Sequence, residues 1–236
     1  MPDKRKHRGS HPQDSILFCR ENIPFLRQAV ADYSLLLTKN YPQNASLKLV
    51  GDKFELTDRQ RLAVMRSSCS DSRLSARLAR QVQPQALAGQ DILIDGYNVL
   101  ITVESAMSEA FLFVGRDGCF RDLAGMHGTY KKVTETIPAV ELISNCLTEL
   151  KLKNICWLLD RPVSNSGRLK TIIESTAGFQ VKIVNNPDTE LIESDAIAAS
   201  GDSAVLDGAK RWFNLVEFII DQHIKSDFPC RIVHLE

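Results

Sequence analysis

The sequence predicts an α/β protein: a parallel sheet of about five strands covered by helices, preceded by a mainly helical N-terminal domain. Three observations lead there. From residue 91 onward, short apolar runs alternate with stretches of helical periodicity. Before residue 83, apolar residues recur mostly at helical spacing. Between the two regimes, QPQALAGQ (83–90) interrupts both patterns with Pro84, Gly89 and polar side chains, which marks a boundary. The expected organisation is a disordered basic tail over 1–13, a mainly helical domain with a small hairpin over 14–86, and an α/β domain over 87–236.

In the helical domain, residues 24–38 place Phe25, Leu26, Ala29, Val30, Tyr33, Leu36 and Leu37 on one helical face, and Asn22 with Pro24 suits its start. SLKLVGDKFELT (46–57) reads as a hairpin turning at Gly51-Asp52, a two-residue turn with glycine first. A helix then begins at Thr57, where Thr57 and Gln60 form a capping-box pattern. Another begins at Ser70 or Asp71, with Leu74, Leu78 and Val82 as its apolar stripe. Segment 57–80 holds six arginines against two aspartates. Arg59, Arg66, Arg73, Arg77 and Arg80 would share a face of one continuous helix, and SSCSD breaks it. They read either as a solvated face or as an RNA-contacting one. Two short helices with a tight link also permit a helix-turn-helix. Lys4, Arg5, Lys6 and Arg8 read as a solvated tail.

In the α/β domain the expected strands are 91–95, 154–159, 180–184, 195–200 and 230–235. The expected helices run over 138–151, with Thr136 and Pro138 at the start, over 166–177, closing at Gly178, and as a pair over 203–225. Between the first two strands, AFLFVGRDGCFRDLAG (110–125) reads as an inserted hairpin turning at Arg116-Asp117-Gly118.

Composition excludes several classes. The chain has 236 residues, 44% of them apolar, enough for one sizeable core or one core with an appendage. The 29 basic and 29 acidic residues cancel, so a polyanion would be held by local patches rather than by global charge. No apolar run approaches the ~18–20 residues that span a bilayer, and the N-terminus lacks the apolar core of a secretory signal. The six cysteines form no C-x-x-C pair, which fits reduced thiols in a cytoplasmic protein.

Ligands of an open parallel sheet bind outside the carboxyl ends of its strands. Acids stand there in succession: Asp95 after the first strand, Asp160 after the second, Asp188 in NNPDTELIE after the third, and Asp202 in ASGDS after the fourth. Any one of them is an ordinary helix cap, and Asp160 has Arg161 and Arg168 nearby. For Asp95, Gly96 and Asn98 suggest a tight backbone rather than a helix start. Two carboxylates about 4 Å apart repel by roughly 4 kcal/mol at an effective dielectric near 20. Several together stay ionised only beside a cation. An oxygen-only donor set points to Mg²⁺ or Mn²⁺ rather than zinc.

At this point the motifs carry a resemblance. ILIDGYNVL, followed by PDTELIE and AIAASGDS, resembles the NYN branch of the PIN-like nuclease superfamily over roughly residues 91–210. The whole chain, with LVGDKFELTDRQR ahead of DGYNVLITVE, looks like a group of uncharacterised, mostly archaeal proteins with a helical N-terminal domain. The resemblance implies a PIN-like (Rossmannoid) sheet and hydrolysis of RNA phosphodiesters with Mg²⁺ or Mn²⁺. It implies catalytic roles for Asp95, Asp188 and Asp202, with Ser200 and Ser203 flanking the third acid. Asp160 joins these three as a candidate metal ligand.

Residues expected at the substrate are Asn98, Ser200 and Ser203, together with Ser164, Asn165, Ser166, Arg168 and Lys170. The last five belong to a loop and helix start that could cradle a phosphate. The competing expectation is a catalytically inactive PIN-like protein that binds RNA or acts as a scaffold. A nucleotide-binding enzyme is disfavoured because there is no P-loop and no G-x-G-x-x-G after the first strand. RNA is the expected partner, a membrane is not, and a homodimer is left open.

Overall fold

The computed structural model describes residues 7–8, 11–125, 128–224 and 231–236. Lys4, Arg5, Lys6 and Cys230 lie outside the described residues. The elements in chain order are α1 (Asp14–Leu17), α2 (Ile23–Thr38), α3 (Gln43–Lys53), α4 (Asp58–Ser67), α5 (Asp71–Arg80), β1 (Asp91–Asp95), α6 (Gly96–Met107), β2 (Phe111–Val114), β3 (Phe120–Arg121), α7 (Thr136–Glu149), β4 (Asn154–Asp160), α8 (Ser166–Ala177), β5 (Gln180–Val184), α9 (Pro187–Glu193), β6 (Ile197–Ala199), α10 (Ser203–Gly208), β7 (Trp212–Phe213), α11 (Leu215–Ile219) and β8 (Arg231–His234). A π-helical turn, Ile220–Ile224, follows α11. None of the described helices is long and apolar enough to cross a membrane.

The main sheet is all parallel, in the order β5-β4-β1-β6-β7. Its pleat sorts the side chains into two layers. Ile92, Ile94, Trp157 and Leu159 face the large core built with α6, α7, α8 and α11. Leu93, Cys156, Leu158 and Ala198 face the opposite layer, where Leu191 of α9 and Val205 and Leu206 of α10 cover them. The last helix of the large core ends in the π turn, beyond which the expected fifth strand does not join this sheet. That place belongs to β7, two residues long, while β8 pairs parallel with β2. The inserted hairpin turns as expected, with Gly118 at φ +74°, a conformation glycine adopts without a Cβ clash.

This second sheet, β3-β2-β8, binds the two parts of the chain together. Leu112 and Val114 point into the main core, and Phe113 and Val233 point into the core of the helical region. Phe18 meets Phe113 edge-on at 4.6 Å between ring centroids.

Three local expectations are corrected. Segment 46–57 is not a hairpin: Gln43–Lys53 is helical, because Val50 packs against α2 while Asp52 pairs with Lys48 one turn back. Gly51 lies inside this helix with the Arg61 guanidinium packed over it, 2.0 Å from where a Cβ would stand. The stripe of α5 fails at Leu78, while Val82 packs against the main core. Leu78 is 52% exposed, whereas Arg77 is 1% exposed and points inward. Finally, Arg8 of the expected tail is docked. Arg8 Nε donates to Glu104 of α6 at 2.7 Å, and Nη2 donates to the Lys131 carbonyl at 3.0 Å. The capping box at Thr57 and the break before Ser70 stand as expected.

Candidate functional site

In chain order the sheet grows outward from β1 to β4 and β5 on one side, then resumes with β6 and β7 on the other. The crevice between the carboxyl ends of β1 and β6 is therefore a topological switch point, the usual ligand position in such sheets. The pleat fixes what stands at it. Asp95 lies two residues beyond Leu93, Asp160 two beyond Leu158, and Ser200 two beyond Ala198. All three thus follow residues on the face covered by α9 and α10. Asp188 is in the first turn of α9, and Asp202 caps α10. The sheet and these two short helices bring Asp95, Asp188 and Asp202 within electrostatic reach of one another, with Asp160 within reach of Asp188.

Asp95 ends β1 and also caps α6, which corrects the expectation that Gly96 and Asn98 would not begin a helix. Its Oδ1 accepts the Asn98 N–H at 3.4 Å, and its Oδ2 accepts the Ser200 hydroxyl at 2.7 Å. Ser200 Oγ in turn accepts the Asp202 N–H at 3.0 Å, so one hydroxyl ties the first acid to the loop of the fourth. Asn98 Oδ1 accepts the Gly201 N–H at 2.7 Å and holds that loop from the other side. Asp202 Oδ1 accepts the Ala204 N–H at 2.7 Å. Gly96 permits a close backbone approach, since a Cβ there would stand 2.7 Å from the Leu158 carbonyl oxygen.

Burial and neighbouring acids set the titration of this corner. Burial pushes the Asp95 carboxyl up to about 7; the Ser200 hydroxyl opposes this, while Asp188 and Asp202 push further upward. Asp188 is raised by burial, then by Asp202 and Asp160. Asp160 is raised by burial. What opposes the rise at Asp95 is a hydroxyl and an amide, not a cation.

Elsewhere in the molecule buried acids meet arginine. Asp117 is held at about 2 despite its burial, by Arg121 and Arg77. Asp207 pairs with Arg77 at 2.7 Å and with Arg73 at 3.2 Å. Asp14 pairs with Arg59, and Glu104 with Arg8. Thus Arg59, Arg73 and Arg77 of the arginine-rich helices are closed on acids within the chain, and Arg80 donates to the carbonyls of Leu206, Asp207 and Ala209. Among the described residues none of the four rim acids is paired with an arginine or a lysine; the oxygens of Asp95 and Asp202 accept only from hydroxyl and backbone N–H groups.

Part of the expected phosphate cradle is turned to internal contacts, while Ser164, Asn165 and Arg168 stand exposed. Ser166 is buried and faces inward: its Oγ donates to the Asp160 carbonyl at 2.5 Å and accepts from the Tyr97 hydroxyl at 3.0 Å. Asn165 donates to the Tyr130 carbonyl at 3.0 Å, and Ser164 bridges to Thr129. Lys170 donates to the Val181 carbonyl at 2.9 Å. The loop is shaped by these contacts with segment 128–130 and β5, which leaves Arg168 as its exposed cation. Ser203, in contrast, lines a cleft of about 310 Å³ beside Asp202, together with Asn98, Thr102, Arg66 and Asp122. Asp122 was not singled out by the sequence, where nothing distinguishes it from other loop acids.

The donor set suits a hard divalent cation in charge and in kind: oxygen only, and without a protein counter-cation among the described residues. Among the described residues, no group of three or more His, Cys, Asp or Glu side chains is gathered about one metal position. Mg²⁺ keeps several waters and is commonly held by one or two carboxylates plus substrate phosphate, so a tighter cage is not a requirement.

A family model described as "Domain of unknown function (DUF5616)" matches residues 84–218, and one described as "Protein of unknown function (DUF434)" matches residues 25–80. An uncharacterised protein of Methanocaldococcus jannaschii is 27% identical over 201 residues, covering 83% of this chain and 93% of that protein. No solved structure matches the chain.

Proposed function

From a chain that belongs to the DUF5616 family, whose description names no function, we propose a metal-dependent ribonuclease of PIN-like type, with its centre at the β1/β6 switch point. One observation carries the proposal: the rim acids converge where a ligand is expected, and they lack the arginines that neutralise buried acids elsewhere in the chain. Asp95 and Asp202, joined through Ser200, and Asp188 with Asp160 would hold Mg²⁺ or Mn²⁺. Such an ion supplies a low-pKa water and stabilises charge on the phosphate.

The chain's own residues supply the positioning. Ser200 orients Asp95 Oδ2 and fixes the Asp202 backbone. Asn98 locks the Gly201 loop, so that β1 and the β6–α10 turn keep one spacing. The second reading, a PIN-like scaffold without catalysis, rests on the lack of a three-ligand cage among the described residues.

The test is cleavage of single-stranded RNA by the purified protein with Mn²⁺. Asp95→Asn should abolish cutting while circular dichroism stays native. Cutting that survives Asp95→Asn rejects the site, and no cutting by the wild type favours the scaffold.

A further inference from the structure

The cleft beside Asp202 has a contributor from outside the α/β domain. Its volume of about 310 Å³ falls at the lower end of the roughly 300–1,000 Å³ of small-ligand sites, room for one nucleoside-sized group. One wall is α6, with Ile101 and Thr102, and another is the β6–α10 turn at Asp202. The wall after β3 supplies Asp122 and Ala124, and the last comes from the helical region, Arg66 of α4.

Counting donors separates the two arginines there. Arg121 is fully committed: both Nη atoms donate to Asp117 at 2.7 Å, and Nε donates to the Gly201 carbonyl at 3.0 Å. Arg66 makes one such bond, from Nη1 to the Asp122 carbonyl at 2.5 Å. The Asp122 carboxylate stands off at 3.9 Å because Thr102 and the Ala124 N–H hold its two oxygens, at 2.8 Å and 2.7 Å. Nε and Nη2 of Arg66 therefore have no acceptor among the described residues, and its side chain is 32% exposed at the cleft. Arg59, Arg77 and Arg80 are closed on acids or carbonyls, and Arg73 pairs with Asp207 away from the cleft, so among the described residues Arg66 is the arginine of that series that lines the cleft with donors open.

We propose that this cleft is the subsite for the nucleotide next to the scissile phosphate of single-stranded RNA. Its neighbouring phosphate lies on Arg66, and its base or ribose lies between Ile101 and Ala124. The inference rests on the ribonuclease reading and adds that the helical region supplies part of the substrate site. A cleft for one nucleoside requires an unstacked base, which a single strand offers and a duplex does not.

The experiment is anisotropy of a short fluorescein-labelled oligouridylate with full-length protein in EDTA, where cleavage plays no part. Arg66→Ala should weaken binding about tenfold or more, the scale of a lost charge-assisted hydrogen bond. It should also flatten the salt dependence by about 0.7 in log–log slope. Arg66→Lys should recover part of the loss. Ala124→Phe, which fills the cleft without changing charge, should weaken binding and leave the slope as it was. Lys210→Ala, on the exposed surface, should change nothing. Wild-type affinity in both Arg66→Ala and Ala124→Phe overturns the subsite, as does no binding by the wild type. Should Arg66→Ala fail to fold, Arg66→Lys and Ala124→Phe decide. Asp95-dependent cleavage with an unchanged KM in the Arg66 variants defeats the subsite alone. Arg66-dependent binding with cleavage indifferent to Asp95 defeats the carboxylate centre alone.

Discussion

Replacing Asp95 by asparagine should stabilise the metal-free protein at alkaline pH while it removes activity. The folded carboxyl titrates at about 7, against an ordinary value of 3.8, because it is buried among other acids. The sign follows from proton counting. Between the two values the folded state holds a proton that the unfolded state has lost, so stability falls as pH rises. Below about pH 4 both states are protonated and the group contributes nothing. Above about pH 7 the penalty is constant. Roughly three units at 1.36 kcal/mol each set an upper bound of about 4 kcal/mol.

Asparagine keeps the shape and accepts the Asn98 N–H, and its amide faces Ser200 Oγ, which can accept. Allowing for relaxation, about 2 kcal/mol should be recovered, or roughly 4–8 °C in Tm for a chain of this size. The assay is a pair of thermal melts, by circular dichroism, from about pH 4.5 to about pH 8 in EDTA. The Tm difference should open with rising pH. Saturating Mn²⁺ should close it by stabilising the wild type, since an ion at a hundredfold its Kd contributes about 2.7 kcal/mol. Wild-type and Asp95→Asn melting curves that run parallel across this range would refute the reasoning about Asp95.

Three further outcomes are expected. Gly96→Ala puts a Cβ 2.7 Å from the Leu158 carbonyl and 2.6 Å from Leu159 Cδ2, so β1 and β4 must shift at the site; a loss of about 1–3 kcal/mol in urea unfolding should come with reduced cleavage. Arg77→Ala breaks a buried pair with Asp117 and a second with Asp207, and should cost about 3–5 kcal/mol in the same measurement, with RNA affinity per folded molecule unchanged. Arg8→Ala leaves Glu104, already raised by burial, without its cation. The raised folded value makes that loss larger at about pH 8 than at about pH 5, which urea titrations at the two pH values read directly.

Much of the fold was legible because its signals are local. DILID and NICWLLD are apolar runs too short for helices, and their register follows once both are placed in a parallel sheet. Thr57 and Ser70 carry their capping chemistry in their own neighbourhood. What failed to read was decided at long range. The partners of Arg77, Asp117 and Asp207, lie 40 and 130 residues away, and nothing within α5 says that an arginine rather than Leu78 will be buried. Glycine is ambiguous between a turn and a helix interior, and at Gly51 the packing of Val50 and the Lys48–Asp52 pair decide for the helix. β7 is two residues long, beneath any periodic signal, so the sheet edge was given to β8, whose stronger apolar pattern serves the hairpin instead.

The candidate site divides in the same way. That Asp95, Asp160 and Ser200 share one face follows from alternation along each strand, and this parity was present in the letters. Which acids would find an arginine was not. The chain contains equal numbers of basic and acidic residues, so neutralising every buried acid is arithmetically open to it. The structure distributes those cations unevenly: Asp14, Glu104, Asp117 and Asp207 receive them, and the rim acids do not. An uncompensated buried carboxylate costs stability that a single substitution could recover, as asparagine at position 95 should demonstrate. Such a cost at a switch point, with Ser200 and the Asn98 N–H holding the acid in one orientation, is what the proposed cation site requires, and it is the term that the Asp95→Asn melts measure.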